Sequence, residues 1–411
     1  MADAAPVSVR SVVMLTADRG IDRRITLQAD ALEADGWMVT IVGAPLDAGE
    51  TDHDPRVQRI AFARQSAGKE GIVLDAYRWL RARLTMNGPL MRMLKRFTWR
   101  WLVDHEGFYV RLFLETALSH RPDVFTAHDL PMLPVGARAA AACGARLVYD
   151  SHELFSEQEF SARERESWAR IEARYIGQAD EVITINPSIA RELERRYGLD
   201  HVHVILNADR RQQVPARSRY FHDHFGLAPD TRVLLFQGGL SAGRNLTTMV
   251  EAFAYVADPS LVLVVLGDGA LSVRLRRLAA RAGHGRVLFH AAVPQARLLE
   301  LTVAADAGII PYQAICLNNR LCTPNKLFEF IVAGLPIVAT DLPEIARIIG
   351  EQDMGLVGET GSARTMAALI DAFFADHERF ARWRTHAARA GGELCWEREQ
   401  VKLTSIYAGL N

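Results

Sequence analysis

Cysteine is scarce in this chain of 411 residues, with only Cys143, Cys316, Cys322 and Cys395. They form no CxxC pair and no metal-like spacing with histidine, so neither disulfides nor structural zinc are expected. They read instead as reduced, mostly buried thiols. Long apolar runs are also missing: no segment approaches the roughly 18 residues that cross a bilayer. Met1-Ala2-Asp3-Ala4-Ala5-Pro6 lacks the basic-then-apolar layout of a signal peptide, so a cytoplasmic protein is expected. No excess of one charge exists either, since the formal net charge is −1, which argues against generic nucleic-acid binding. Two further absences bear on chemistry. No GxGxxG follows the first strand, which weakens a dinucleotide-dehydrogenase reading. No Asp-x-Asp stands at a strand end to hold a divalent ion on a diphosphate, so no metal and no other cofactor is expected.

What is present is an ordinary globular composition, 49% hydrophobic and 24% charged, in a chain long enough for two separate cores. Strand-like apolar runs alternate with amphipathic helical stretches at 9–15, 25–35 and 38–42, at 123–127, 135–143 and 147–149, and at 181–185 and 202–205. This is the βαβ rhythm of a parallel sheet covered by helices. Residues 207–220 are polar and rich in Arg and Gln, with Pro215, which suits a linker. The rhythm resumes at 232–236, 261–266, 287–289, 307–310 and 336–339, predicting a second doubly wound sheet. A last helix, 396–407, has no strand after it. Ligands of such sheets bind at the carboxyl ends of strands, so the chemistry is expected in the loops there.

Thr323-Pro324-Asn325-Lys326-Leu327-Phe328-Glu329 opens a helix of about ten residues, with Thr323 as N-cap, Pro324 at the first position, and Gly334 with Pro336 as the stop. At about 100° per residue Leu327, Phe328 and Ile331 share one side, while Asn325, Lys326 and Glu329 form a narrow polar wedge. A cation, a carboxylate and free backbone N–H groups at one helix end suit a ligand carrying phosphate and hydroxyls. The same spacing also fits a plain surface helix with an i,i+3 Lys/Glu pair. Earlier loops add glycine and cations. Asp18-Arg19-Gly20 follows the first strand, and Gly238-Gly239-Leu240-Ser241-Ala242-Gly243-Arg244 follows the strand that opens the second sheet, where Arg244 can hold phosphate bidentately. Gly267-Asp268-Gly269 and Val293-Pro294 end later strands and can wall a flat base; each alone is only a turn.

In this order the motifs resemble the retaining GT-B glycosyltransferases of the family numbered four. The match runs from the loop at 12–20 through His128-Asp129, Tyr149-Asp150-Ser151-His152-Glu153 and 236–245. It continues through 267–269, 293–294, 305–312 and 323–340 to the closing helix. The resemblance implies an α/β fold of two Rossmann-like domains facing a cleft. An acceptor domain would span 1–208, with a basic helical insertion at about 70–115. A nucleotide-sugar domain would span 209–390, and a helix at 391–411 would return to the first domain. It implies transfer of a sugar from a nucleotide-diphosphate donor to a saccharide or lipid-linked acceptor in polysaccharide or glycolipid synthesis. Residue by residue, it implies catalytic roles for His152 and Arg244, with Glu329 on ribose and Arg244 on diphosphate. The donor set comprises Gly20, Gly238, Gly239, Gly267, Asp268, Gly269, Val293, Pro294, Thr323, Pro324, Asn325, Lys326 and Leu327; the acceptor set comprises Asp18, Arg19, His128, Asp129 and Glu153. Two positions depart from the pattern. Leu321 stands where the family carries the first of two glutamates eight residues apart, and Gly239 stands where it carries arginine. Lys326 is positioned to supply that missing catalytic cation, while Asn318, Asn319 or backbone N–H groups of 322–326 take the place of the missing glutamate. A catalytically silent relative acting as a scaffold, or a nucleotide-sugar epimerase, are the alternatives these departures raise.

Residues 78–101 hold seven Lys/Arg, no Asp or Glu, and three Trp. Such a helix suits the headgroup layer of an anionic membrane, where each near-surface cation contributes about 1 kcal/mol, and a peripheral site on the inner face of the cell membrane follows from it. A solvated basic face over the acceptor cleft is the other reading. Sedimentation with anionic liposomes separates the two: membrane docking predicts binding that charge reversal at Arg92, Lys95 and Arg96 abolishes, and no sedimentation rejects it.

Overall fold

The computed structural model describes residues 10–46, 51–52, 54–60, 104–282 and 285–410. The basic segment 78–101, with most of the insertion expected at about 70–115, lies outside the described residues. The first sheet holds β1 (Ser11–Thr16), β2 (Met38–Gly43), β3 (Val57–Arg59), β4 (Val124–His128), β5 (Arg146–Ser151), β6 (Glu181–Thr184) and β7 (His203–Val204). Its order is β3-β2-β1-β4-β5-β6-β7, parallel throughout. The second holds β8 (Arg232–Gln237), β9 (Leu261–Leu266), β10 (Val287–His290), β11 (Ala307–Ile310), β12 (Ile337–Thr340) and β13 (Gly355–Gly358), ordered β10-β9-β8-β11-β12-β13 and again parallel.

Parallel pairing requires crossover connections, and the helices that make them cover both faces of each sheet. The central strands are therefore apolar at successive positions; every residue of β9 is buried. β3 and β13 fall outside the runs expected from sequence. Both are edge strands, the first half-exposed and the second bounded by glycine, so neither carries the buried-strand signature. The thiols also differ from expectation: Cys395 is buried, but Cys143, Cys316 and Cys322 are half-buried. Each of those three ends or flanks a helix, where the chain turns toward the surface.

The chain crosses from the first sheet to the second after β7, then returns through the helix Trp396–Ala408. This last helix packs on the helix Arg23–Ala34. Trp396, Leu403, Ile406 and Tyr407 complete the cluster built by Val12, Met14, Ile25, Leu32 and Ile41. The hydroxyl of the fully buried Tyr407 lies 2.5 Å from Thr126 Oγ1, and its ring meets Trp37 edge to face at 5.6 Å. The two crossings run side by side: Trp396 N donates to Asp209 O at 2.8 Å, and Leu206 N to Glu399 Oε2 at 2.9 Å.

Truncating a buried aromatic leaves a cavity as well as losing its transfer free energy. Tyr407→Ala is expected to lower stability by about 3–5 kcal/mol, read from the midpoint shift in urea unfolding.

Candidate active site

Loops from both halves line one cleft of about 510 Å³. His152, Glu153 and Glu159 come from the first half; Gly238, Gly239, Arg244, Tyr312, Lys326 and Glu329 come from the second. The floor on the second side is made by absent side chains. Gly238 has φ +116°, and a Cβ placed there would lie 3.3 Å from Arg244 Nη1 and 3.4 Å from Lys326 Nζ. A Cβ on Gly239 would likewise lie 3.3 Å from Arg244 Nη1. The glycine pair thus lets two cations converge over one stretch of bare backbone. Gly267-Asp268-Gly269 supports that loop from behind: Leu240 N donates to Asp268 O at 2.9 Å, and Gly238 N to Leu266 O at 3.0 Å.

Arg244 is half-buried and donates to Gly239 O at 2.8 Å. Lys326, on the polar wedge of its helix, is buried. Its Nζ donates to Tyr312 Oη at 2.8 Å and sits 4.6 Å above the Phe236 ring, an arrangement that draws the side chain inward. Burial, with the Arg244 charge beside it and Glu329 opposing, lowers Lys326 to about 7. Glu329 accepts from Gln237 Nε2 at 2.6 Å, and Gln237 Oε1 accepts from Thr302 Oγ1 at 2.9 Å. The helix beneath these groups is Asn325–Val332, shorter than expected, and Thr323 does not cap it. Pro324 takes the cap position in extended conformation with no side-chain cap bond. The cause lies across the cleft: Asn186 Nδ2 donates to Leu321 O at 2.8 Å and reaches Thr323 Oγ1 at 3.4 Å, drawing the buried Thr323 into the seam between halves. Gly334, at φ +65°, ends the helix as expected.

On the opposite wall His152 lies between two carboxylates, with Nε2 3.2 Å from Asp150 Oδ2 and Nδ1 3.4 Å from Asp129 Oδ2. Asp129, itself at φ +62°, also accepts from His152 N at 3.0 Å. Burial disfavours the charged ring, but Asp129 and Asp150 outweigh it and raise His152 to about 9. Asp129 is pushed to about 7 by burial, with His152 opposing and Glu153 reinforcing. Asp150 is fully buried, which alone would raise it, yet Arg24 and the histidines hold it well below the usual range. Arg24 binds it through Nε at 2.9 Å and Nη2 at 2.8 Å, and Gln28 Nε2 donates at 2.6 Å. His128, buried behind His152, is lowered by burial and stays neutral near pH 7.

His128, Asp150 and His152 hold ligand-type atoms within 4.8 Å of one another, close enough to grip a metal ion. Arg24 already engages both oxygens of Asp150, so a dication would stand against that guanidinium; the trio fits an ion-pair network better. The Asp-x-Asp at 52–54 precedes β3, and its carboxylates pair with Arg59 and Arg56.

Twelve of the residues singled out from sequence gather at the cleft: His152, Glu153, Gly238, Gly239, Arg244, Asn318, Asn319, Thr323, Pro324, Asn325, Lys326 and Glu329. Asp129 touches His152 from beside it. Others stand elsewhere. Arg19 and Gly20 border a separate cavity of about 620 Å³, and Asp18 is exposed. Leu327 is core, and Val293 packs on the second core ahead of Pro294, which caps the helix Gln295–Thr302. Arg24, Gln237 and Tyr312 were not singled out; only their places at a helix start or a strand end could have marked them.

Because His152 is raised above its usual 6.5, its stabilising share is complete below that pH and is lost as pH rises through about 9. The stability gap between the native chain and His152→Gln should therefore shrink from pH 6.5 to 9.5, as measured by urea unfolding across that range.

Two family models match the chain, "Glycosyl transferase 4-like domain" over residues 19–208 and "Glycosyl transferases group 1" over residues 219–390. A D-inositol 3-phosphate glycosyltransferase of Xylanimonas cellulosilytica is 23% identical over 260 residues, which is 58% of each chain. The chain thus spans little more than half the length of that curated relative. Among solved structures, a sucrose-phosphate synthase from Thermosynechococcus elongatus superposes with TM-score 0.73 at 16% identity, over 98% of this chain and 99% of that one. Anabaena HepE in complex with UDP superposes with TM-score 0.71 at 16% identity, over 97% of this chain and all of the other. With two parallel sheets facing a shared cleft and both halves matched in order, the chain belongs to the group 1, family 4-type glycosyltransferases of GT-B fold.

Proposed function

We propose that the cleft transfers a sugar from a nucleotide-diphosphate donor to a hydroxyl of a saccharide or lipid-linked acceptor, with retention at the anomeric carbon and without a divalent metal. The observation that carries this reading is the convergence of Arg244 and Lys326 over Gly238, opposite His152. The hydrogen-bond partners of these two cations are a backbone carbonyl and a phenol, and neither makes an ion pair among the described residues. An unneutralised pair of cations beside bare backbone suits a diphosphate. Glu329, oriented by Gln237, is an acceptor for the ribose hydroxyls. HepE, a structural neighbour, binds UDP, which supports a nucleotide donor here.

In this reading the bond from anomeric carbon to phosphate oxygen breaks while the acceptor oxygen bonds to that carbon from the same face. The departing phosphate oxygen takes the acceptor's proton. Arg244 and Lys326 stabilise the negative charge that grows on the diphosphate, each worth about 2.7–4 kcal/mol of barrier. His152, protonated at neutral pH with both ring nitrogens turned to carboxylates, has no lone pair to offer as a base. It places positive charge and a fixed ring edge beside the reacting sugar.

Lys326 near 7 makes a distinctive signature. A bound diphosphate favours the ammonium, so at about pH 8 binding should draw in close to one proton, and affinity should fall as pH rises past 7. Titration calorimetry with UDP, GDP, ADP, TDP and CMP, in buffers of different ionisation enthalpy, measures both base choice and uptake. Lys326→Met should lose the uptake; Arg244→Ala should weaken binding at least tenfold yet keep it. Unchanged affinity in Lys326→Ala beside weakened Arg244→Ala would overturn the role of Lys326, and a response to CMP alone would overturn the diphosphate reading. Glu329→Ala should abolish transfer. Binding with no donor turnover would mark a silent relative, and sugar isomers formed without acceptor an epimerase.

A further inference from the structure

The unpaired charges of the cleft differ between its two walls. Arg244 and Lys326 stand with Glu329 on the wall built by the second half; on the wall built by the first, Glu153 and Glu159 stand with His152, whose charge is already matched by Asp129 and Asp150. Glu153 makes no ion pair among the described residues; its hydrogen bonds come from neutral amides. Its Oε2 accepts from Asn318 Nδ2 at 2.7 Å, and its Oε1 accepts from Gln158. Asn318 is buried and clamped at its other end, where Oδ1 accepts from Leu154 N at 3.0 Å. A residue of the second half thus fixes the orientation of a carboxylate from the first.

The helix Leu317–Leu321 explains why these residues meet. Leu317 and Leu321 pack against the core of the first sheet, which anchors the helix and turns Asn318 to the cleft. Position 321 therefore presents no polar group to a ligand. Each oxygen of Glu153 keeps a lone pair after its amide bond, and a carboxylate accepts strongly from sugar hydroxyls. With the nucleoside beside Glu329 and the diphosphate over Gly238, the remaining stretch toward Glu153 and Asn318 is where the sugar lies.

Resting on the donor-site reading above, we propose that Glu153, oriented by Asn318, is the sugar-selecting residue of this cleft, and that it selects a neutral, hydroxyl-rich sugar against a uronic acid. A uronate would bring a second carboxylate against the half-buried Glu153 on the wall that also carries the exposed Glu159, and like charges repel.

Calorimetric titration at mildly alkaline pH with two matched pairs, UDP-glucose with UDP-glucuronate and GDP-mannose with GDP-mannuronate, tests this. In whichever pair binds, the uronate should bind at least about tenfold more weakly, and Glu153→Gln should narrow that ratio to about threefold or less while the parent diphosphate binds as before. Asn318→Ala should narrow it too, with melting temperatures confirming that both variants fold. Equal affinity for the two sugars in the native chain, or an unchanged ratio in Glu153→Gln, would overturn the proposal while leaving the donor site standing. Failure of both pairs and of every free nucleoside diphosphate to bind would overturn the donor site and this proposal together.

Discussion

The buried pair of Arg24 and Asp150 holds the first half of the cleft in place. Asp150 ends a central strand with no exposed surface, and Arg24, 5% exposed, meets it with two parallel hydrogen bonds. Such a pair contributes little net stability over an apolar alternative, but loss of one partner strands a buried charge at a cost of about 3–5 kcal/mol. Its positional effect is wider. Arg24 Nη1 also donates to Ile205 O and Asn207 Oδ1, so one guanidinium joins the first helix, the β5 terminus and the start of the linker. Asp129 and Asp150 together keep His152 charged and hold its ring between them. The charge of His152 thus rests in part on a contact buried behind the cleft wall.

The second wall is organised differently. Among the described residues its cations make no ion pair with a carboxylate, and they depend on aromatic faces, a phenol and a carbonyl for their placement. Keeping Lys326 poised between neutral and charged avoids most of the desolvation cost of a lone buried ammonium until an anion arrives. One wall therefore carries permanent charge within a closed network, and the other carries charge that completes itself on binding.

Most of the architecture was legible in the sequence because parallel strands buried on both faces are apolar along most of their length, as β9 and β11 are throughout and β8 is between Arg232 and Gln237. Gly238, Arg244 and Glu329 were legible for a related reason: ligands approach strand ends, and glycine with charge at those ends is a local pattern. The long-range contacts were not. Nothing in 323–326 announces that Asn186, 137 positions earlier, reaches Thr323 and removes it from the helix cap. The burial of Lys326 was not legible, because helical spacing alone cannot reveal Tyr312 and Phe236 beneath it. Arg24 sits in a loop-to-helix stretch rich in arginine, where its importance comes entirely from a partner 126 residues away.

Among the described residues the chain passes between the two halves twice, and the passes adjoin at Asp209 and Trp396. A single tether would let one half swivel freely about the other; two adjacent ones suppress torsion and leave bending about their common line. Motion of that kind widens or narrows the mouth of the cleft without sliding its walls past each other. The bonds of Asn186 and Asn318 across the seam, and that of Ser188 to Glu344, are among the fasteners that such bending must release. A ligand could enter and leave by this rocking while the opposed charges return each time to the same registry.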